Sequence, residues 1–213
     1  MNSRLLIFDL DGTLVNTVVD LNNGINYALN KNGYPSRSVE HTAHAIGNGI
    51  YITILRSLPS EDEEAAKACL KDFREYYKEH YLDNSFRYDG MLETLKALKE
   101  RGYKLAVATN KLDEIAKKMI DYLYPNIFDI VQGDLPNLPK KPDPTIINNI
   151  IKELGVDKEK TTYIGDSEVD ILSANNAGVK VVLADYGFHR EAEFLNYKNA
   201  IHIRKPIDLL KFF

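Results

Sequence analysis

Short apolar runs alternate with amphipathic helical patterns along most of this 213-residue chain, and this alternation limits its possible folds more than any other feature. The apolar runs are 5–8, 104–109, 128–132, 161–164 and 180–184, with a weaker one near 200–203. After every run except the one at 180–184, the pattern predicts a helix, the last of them after Pro206. Strands that alternate with helices predict an α/β fold with a doubly wound, Rossmann-like parallel sheet.

One segment, residues 16–83, breaks this alternation directly after the first run, because every apolar pattern in it has helical spacing. Ser38 is placed to cap a short helix, and Ser60 with Glu63 forms a capping-box pattern at the start of a longer one. We therefore expect an all-helical cap domain at 16–83, inserted into an α/β core domain formed by 1–15 and 84–213.

The composition excludes several classes of partner. The net charge is −4 and the lysines and arginines are scattered, which argues against a nucleic-acid groove. No apolar run reaches the length of a membrane span, and the N-terminus lacks the pattern of a signal peptide. The single cysteine, Cys69, lies in a helical apolar pattern, where packing is its expected role. We expect a cytoplasmic protein that binds neither nucleic acid nor membrane.

Polar residues stand where the predicted strands end. Asp9 and Asp11 follow the first strand, Thr109 ends the second, and Asp166 follows the strand at 161–164, while Lys141 precedes the helix that leads into that strand. Ligands of doubly wound sheets bind at the carboxyl ends of the strands. The topology therefore predicts that these side chains meet at one edge of the sheet.

Each of these residues also has a simple structural explanation. Asp9 and Asp11 point to the same side of an extended chain, where two like charges favour a bound cation or a shared proton, but Asp-Gly is equally an ordinary turn. Thr109 suits a strand end, Lys141 suits an exposed loop, and the pair Asp166 and Asp170 suits the capping of a helix N-terminus. Taken together, their arrangement at one edge favours a catalytic site.

The residues resemble four motifs of the haloacid dehalogenase superfamily of phosphotransferases, and the resemblance covers the whole chain. The motifs are Asp9-x-Asp11-Gly12-Thr13, Thr109, Lys141 in Lys-Pro-Asp-Pro, and Gly165-Asp166-Ser167-x-x-Asp170. The segment at 16–83 is similar to the small helical cap of this superfamily. The resemblance therefore implies a phosphatase that forms an aspartyl-phosphate.

The resemblance also implies a role for each carboxylate. Asp9 attacks phosphorus, and Asp11 transfers protons to the leaving group and from the attacking water. Mg²⁺ would be bound by the carboxylates of Asp9 and Asp166 and the main-chain carbonyl of Asp11, because it prefers oxygen ligands. Asp170 is expected outside this set, orienting a water or Lys141.

The other motif residues are implied to contact the phosphoryl group. Thr109 donates its hydroxyl to a phosphoryl oxygen, Asn110 donates a main-chain N–H, and Lys141 neutralises the transferred group. Thr13 is a further candidate, although its hydroxyl can equally serve the turn alone.

The branch of phosphoglycolate phosphatases is the most similar, through the loop Gly47-Asn48-Gly49 and through Arg56. Two glycines let main-chain N–H groups approach a substrate, but they can also just interrupt a helix. Arg56 can bind a carboxylate or remain a surface charge. We expect a small phosphomonoester as substrate and a monomer or weak homodimer as the assembly.

Other activities remain open at this stage. A sugar-phosphate mutase of the β-phosphoglucomutase type has a similar cap, although it often carries Glu where this chain has Gly165. Inorganic pyrophosphatase activity is a further alternative. A phospho-aspartate signalling module without turnover is disfavoured, because Asp11 supplies the proton transfer that turnover needs.

Overall fold

Six parallel strands form the central sheet of the computed structural model, which describes residues 4–189 and 200–213. The strands of the described chain are β1 (Arg4–Phe8), β2 (Val15–Asn16), β3 (Phe86–Arg87), β4 (Tyr103–Leu112), β5 (Ile130–Asp134), β6 (Thr161–Gly165), β7 (Lys180–Ala184) and β8 (Ile201–Ile203). The sheet order is β5-β4-β1-β6-β7-β8, and all its pairings are parallel. The predicted α/β fold with a doubly wound sheet is confirmed.

The helices lie between these strands along the chain. They are α1 (Val18–Lys31), α2 (Val39–Ala45), α3 (Ile50–Ser57), α4 (Glu63–His80), α5 (Met91–Glu100), α6 (Asp113–Leu123), α7 (Thr145–Leu154) and α8 (Glu168–Ala177), with 3₁₀ turns at Lys158–Lys160 and Pro206–Lys211. Of these, α5–α8 pack against the sheet. Among the described residues, no helix combines the length and the apolar character that crossing a bilayer requires.

Alternate residues of β1 bury opposite faces of the sheet, which explains why helices lie on both sides. Leu6 and Phe8 pack with residues of α5 and α6 on one face. Leu5 and Ile7 pack with isoleucines of α7 and alanines of α8 on the other. Since successive side chains of a strand point in opposite directions, one apolar run supplies both cores.

The centre of the sheet contains its topological switch point. β1 pairs with β4 on one side and with β6 on the other, and the chain reaches these two neighbours by separate connections. Such a point leaves a crevice beyond the carboxyl ends of the strands. Asp9 is the first residue after β1 and therefore lies at this crevice.

The helices α1–α4, called the cap below, share a separate apolar core. Ile25, Leu29, Ile54 and Phe73 are buried in it together with Cys69, which confirms the predicted packing role of the cysteine. The chain enters the cap after β2 and leaves it before β3, and these two strands pair in antiparallel fashion. The two connections to the cap are thus joined to each other at their base.

Several elements differ from the sequence predictions, among them the strand expected at 128–132, which is β5 at Ile130–Asp134. The capping box of Ser60 with Glu63 is wrong, because Asp62 caps α4: its Oδ1 accepts hydrogen bonds from the N–H groups of Glu64 and Ala65. β4 extends beyond residue 109 to Leu112, since it resumes pairing with β5 after an irregularity. The expected last helix is only the 3₁₀ turn at Pro206–Lys211.

Candidate active site

A tight turn after β1 places Asp9 at the crevice. The Asp9 N–H donates to the carbonyl of Ile164 in β6 at 2.9 Å, which extends the sheet by one residue. The carbonyl of the following residue, Leu10, accepts hydrogen bonds from the N–H groups of Thr13, Leu14 and Val15. Gly12 has a φ of 84°, and a Cβ at this position would collide with the carboxylate of Asp166. Glycine is therefore required there for both conformation and space.

Lys141 is the centre of the charged network. Its Nζ lies 2.9 Å from Asp9 Oδ1 and donates to Asp170 Oδ1 at 2.8 Å. It also donates to the hydroxyl of Tyr163 at 2.8 Å, and that hydroxyl donates to the carbonyl of Ala108. Lys141 is 3% exposed, so its ammonium group is held by these partners rather than by solvent. The structure thus brings Lys141 to Asp9 and Asp170, as the motifs predict.

Asp170 combines two roles that the sequence left as alternatives. Its Oδ2 accepts hydrogen bonds from the main chain of Asp166 and from the main chain and hydroxyl of Ser167, which caps α8. Its Oδ1 is bonded to Lys141. A Cβ on Gly165 would collide with the Asp170 side chain, so the preceding strand must end in glycine for the carboxylate to turn back on it.

The carboxylate of Asp166 is held from two sides. Thr13 donates its hydroxyl to Oδ1 at 3.1 Å, and Phe188 donates its N–H to Oδ2 at 2.8 Å. The structure therefore directs the Thr13 hydroxyl to Asp166, whereas the sequence suggested a substrate contact. Phe188 had no predicted role, because it contributes a main-chain N–H that almost any residue could supply.

Burial and the repulsion between carboxylates raise the pKa values of Asp9 and Asp166 in this cluster. Burial raises the pKa of Asp9 to about 7, with Lys141 opposing the shift and Asp170 adding to it. The pKa of Asp166 is raised well above its usual value, first by burial and then by Asp170 and Asp9. Burial alone would lower the pKa of Lys141, but Asp170 and Asp9 raise it well above the usual value. Lys141 is therefore protonated, and the cluster contains more carboxyl groups than ammonium groups.

A hard cation fits this cluster. Carboxylate oxygens of Asp9, Asp166 and Asp170 lie within 4.8 Å of one another, and all three residues are buried. A divalent cation would offset the excess negative charge, and oxygen donors are those that Mg²⁺ and Ca²⁺ prefer. Asp170 Oδ1 is already bonded to the Lys141 ammonium group and its Oδ2 accepts three hydrogen bonds, whereas each oxygen of Asp166 accepts one, so Asp9 and Asp166 are the better-placed donors.

The side chain of Asp11 has different partners. Its Oδ1 accepts hydrogen bonds from Lys111 Nζ at 2.9 Å and from the hydroxyl of Thr17 at 2.7 Å. Lys111 Nζ also donates to the hydroxyl of Tyr77 in the cap at 2.9 Å. Although burial opposes it, the pKa of Lys111 is raised above its usual value by Asp11 and Tyr77. Sequence reasoning gave Lys111 no role; its position directly after Thr109 and Asn110 was the available signal.

A cavity of about 230 Å³ lies between this edge of the sheet and the cap. Asp9, Asp11, Thr109 and Asn110 line it from the core, and Thr109 is almost fully buried. Apolar side chains form much of the cap-side wall and the adjoining surface of α6. These are Leu21, Ile46, Ile50, Phe73 and Ile115.

The glycine loop of the cap reaches the cavity, whereas the Arg56 side chain is hydrogen-bonded to the cap itself. Gly47 and Gly49 line the cavity, with φ of 126° and 86°, and the Gly47 carbonyl accepts a hydrogen bond from the Asn110 side chain. Arg56 donates to the Ala45 carbonyl at 3.1 Å and to the side-chain oxygen of Asn48 at 3.0 Å. Among the described residues, neither Arg56 nor Asn48 lines the cavity. The hydrogen bonds of Arg56 therefore stabilise the loop itself.

A doubly wound core, an inserted helical cap and buried carboxylates at the switch point are typical of an α/β enzyme that binds its ligand at the carboxyl ends of the strands. The sequence profile of the haloacid dehalogenase-like hydrolases matches residues 6–184. The chain belongs to this family.

Individual relatives agree in fold and in sequence. The chain is 33% identical to the phosphoglycolate phosphatase of Aquifex aeolicus over 190 residues, which cover 87% of this chain and 86% of that protein. It is 34% identical to phosphoglycolate phosphatase 1 of Pseudomonas aeruginosa over 195 residues, 87% of this chain and 71% of that protein. The crystal structure of a predicted phosphoglycolate phosphatase from Haemophilus somnus superimposes with a TM-score of 0.89 at 30% identity, covering 100% of this chain and 98% of that one.

Proposed function

We propose that the protein is a Mg²⁺-dependent phosphatase that hydrolyses a small phosphomonoester through an aspartyl-phosphate on Asp9. The observation that carries the proposal is the position of Asp9, which lines the cavity while Lys141 Nζ lies 2.9 Å from its Oδ1. A carboxylate that is buried, paired with a cation and open to a cavity is suited to attack an anionic phosphoryl group. The relatives named phosphoglycolate phosphatase support the same reaction class.

In the first step, a carboxylate oxygen of Asp9 forms a bond to phosphorus while the bond from phosphorus to the leaving oxygen breaks. Lys141 compensates negative charge on Asp9 and on the transferred group, acting as a buried point charge. Asp11 gives a proton to the leaving alkoxide, and Lys111 and Thr17 hold its side chain in place. Thr109 and Asn110 line the same cavity, and the Thr109 hydroxyl and the Asn110 main-chain N–H would contact phosphoryl oxygens.

In the second step, water attacks phosphorus and the bond to Asp9 breaks, which releases phosphate. Asp11, now deprotonated, takes a proton from the attacking water, so the same side chain serves as acid and then as base. Mg²⁺, when bound by the Asp9 and Asp166 carboxylates and the Asp11 main-chain carbonyl, would supply further compensation for the phosphoryl charge.

The cavity volume supports a small organic group on the substrate. The cavity of about 230 Å³ is below the range of roughly 300–1,000 Å³ that is common for drug-sized ligands, which supports a small phosphomonoester as substrate.

The cap is proposed to act as a cover. Residues 16–83 would open for substrate entry and close to exclude bulk water during attack on phosphorus. The paired strands β2 and β3 join the two connections and are the expected hinge. We place the enzyme in the cytoplasm, acting as a monomer or weak homodimer on a small-molecule substrate without nucleic-acid or membrane partners.

A panel of phosphorylated compounds tests the proposed function. Purified protein with Mg²⁺ is assayed for phosphate release from phosphoglycolate, acetyl phosphate, hexose phosphates, nucleotides and pyrophosphate, and kcat/KM is compared. The highest value is expected for an ester of two or three carbons. Isomerisation of a hexose phosphate would support the mutase, preference for pyrophosphate would support a pyrophosphatase, and a labelled Asp9 without turnover would support a signalling module.

A further inference from the structure

Two adjacent residues at the end of β4 connect the core site to the cap. Asn110 and Lys111 are each 8% exposed, although both carry polar groups. Each one contacts a residue of the proposed reaction on one side and a residue of the cap on the other. Buried polar groups need partners, so loss of either contact is costly.

The amide of Asn110 holds the main chain of Lys141 and the loop of the cap together. Its Oδ1 accepts the N–H of Lys141 at 2.8 Å, and its Nδ2 donates to the Lys141 carbonyl at 3.0 Å. The same Nδ2 donates to the Gly47 carbonyl at 3.0 Å. One side chain therefore fixes the backbone that carries the buried ammonium group and also binds the closed cap.

Lys111 makes the equivalent connection for Asp11. Its ammonium group is 2.9 Å from Asp11 Oδ1 and 2.9 Å from the hydroxyl of Tyr77, which is the end of a buried side chain on α4. Opening the cap removes the Tyr77 hydroxyl, and the ammonium group then has fewer buried partners to fix its position beside Asp11.

We propose that Asn110 and Lys111 are positioning residues that couple closure of the cap to the core site. Asn110 acts on Lys141, and Lys111 acts on Asp11. The inference rests on the proposed function, because it gives Asp11 the proton transfer and Lys141 the compensation of charge. Its consequence is that the site is fully assembled only when the cap is closed.

The Lys111 connection is tested by Tyr77→Phe, which removes the cap-side hydroxyl and leaves Asp11 and Lys111 unchanged. The two substrates are phosphoglycolate, whose alkoxide must be protonated, and acetyl phosphate, whose carboxylate leaves without a proton. We expect kcat/KM to fall about tenfold for phosphoglycolate, because the variant loses one hydrogen bond to a charged group. For acetyl phosphate the fall should be less than about threefold, because its leaving group needs no proton.

The matched control is Tyr76→Phe. Tyr76 neighbours Tyr77 on α4 but stacks between Tyr27 and His80, with ring centroids at 4.6 Å and 4.1 Å. It should leave both values unchanged. Equal losses on the two substrates in Tyr77→Phe, or the same loss in Tyr76→Phe, would overturn the assignment to Lys111.

The Asn110 connection is tested by amide hydrogen exchange in the ligand-free protein, which does not depend on turnover. Asn110→Ala should increase exchange at the Lys141 amide and in the loop 47–50. Asn110→Asp keeps the acceptor for the Lys141 N–H but replaces the group that donates to the carbonyls of Gly47 and Lys141, so the loop should exchange faster and the Lys141 amide should change less than in Asn110→Ala. The control is Asn176→Ala, which removes a hydrogen bond to the Pro142 carbonyl of the same segment without reaching the cap.

The two measurements separate failure of this inference from failure of the proposed function. If the wild-type protein releases phosphate from neither phosphoglycolate nor acetyl phosphate, the proposed function fails. Amide hydrogen exchange then tests the coupling of the cap to the core site without any activity. Unchanged loop exchange in both Asn110 variants would overturn the coupling, as would faster loop exchange in Asn176→Ala. Cooperative thermal unfolding of each variant shows that the exchange comes from folded protein.

Discussion

The edge of the sheet and the glycine loop of the cap border the same cavity, but they are built from different groups. At the edge, Lys141 is held between the carboxylates of Asp9 and Asp170 and is almost completely buried. In the loop, Gly47 and Gly49 present backbone, and Arg56 is bonded to the loop itself. The edge therefore supplies charge for a reaction, whereas the loop supplies shape. We expect changes at the edge to affect kcat and changes in the loop to affect KM.

The largest effect is expected for Asp9→Asn. The amide has nearly the same shape but cannot form the covalent intermediate, so kcat should fall by at least about 10⁴-fold. Phosphate release and thermal unfolding are measured on the same samples. The control is Asp89→Asn, which makes the same change at an exposed residue. Release close to the wild-type rate in Asp9→Asn would rule out the proposed nucleophile.

Asp11→Asn should reduce kcat by about 10²–10⁴-fold, the usual contribution of general acid–base catalysis. Stabilisation by Mg²⁺ should remain, because the proposed ligand of Asp11 is its main-chain carbonyl. Thermal unfolding with and without Mg²⁺ measures this. Loss of the Mg²⁺ effect in this variant would show that the side chain takes part in metal binding.

Lys141→Met removes the cation and leaves Asp9 and Asp170 facing each other in a buried site. We expect kcat to fall about 10²–10³-fold, and the free energy of unfolding to fall by about 3–5 kcal/mol, because uncompensated buried charge is costly. The neighbouring Lys140→Met is the control: its side chain is 41% exposed and pairs with Asp134, so the loss should be under about 1 kcal/mol. Similar losses in the two variants would contradict the burial argument.

Mg²⁺ should stabilise the folded protein, because the carboxylates of the cluster outnumber its lysine. At 100 times the dissociation constant, the expected gain is about 2.7 kcal/mol in the free energy of unfolding. Asp166→Asn should remove most of this gain, which thermal or urea unfolding would detect. A full Mg²⁺ effect in Asp166→Asn would exclude Asp166 as a ligand.

Arg56→Ala is expected to have the smallest effect, because its hydrogen bonds end on the loop. KM should rise less than about tenfold with little change in kcat, as the loop loses two hydrogen bonds of about 1 kcal/mol each. If Arg56 instead binds the carboxylate of the substrate, kcat/KM for phosphoglycolate should fall about 100-fold or more and that for acetyl phosphate should not.

The fold and the positions of the main site residues could be predicted from local patterns. Asp9, Thr109 and Asp166 stand at or directly after apolar runs, and the carboxyl ends of parallel strands share one edge. Tyr163 could not be found in this way, since it occupies a strand position whose pattern predicts only burial. The capping box at Ser60 was wrong because Asp62, two residues later, offers a carboxylate to the same helix end.

The alternation of strands and helices, the insertion of a helical segment and the residues at the edge of the sheet can be inferred from the sequence. These features depend on periodicity and on neighbours along the chain. The partners of these residues, in contrast, depend on the tertiary structure. Lys141 and Asp170 are 29 positions apart, and Lys111 and Asp11 are 100 apart. Which charges pair, and which face the cap, is set by the packing of the cap on the sheet, and no local pattern contains that information.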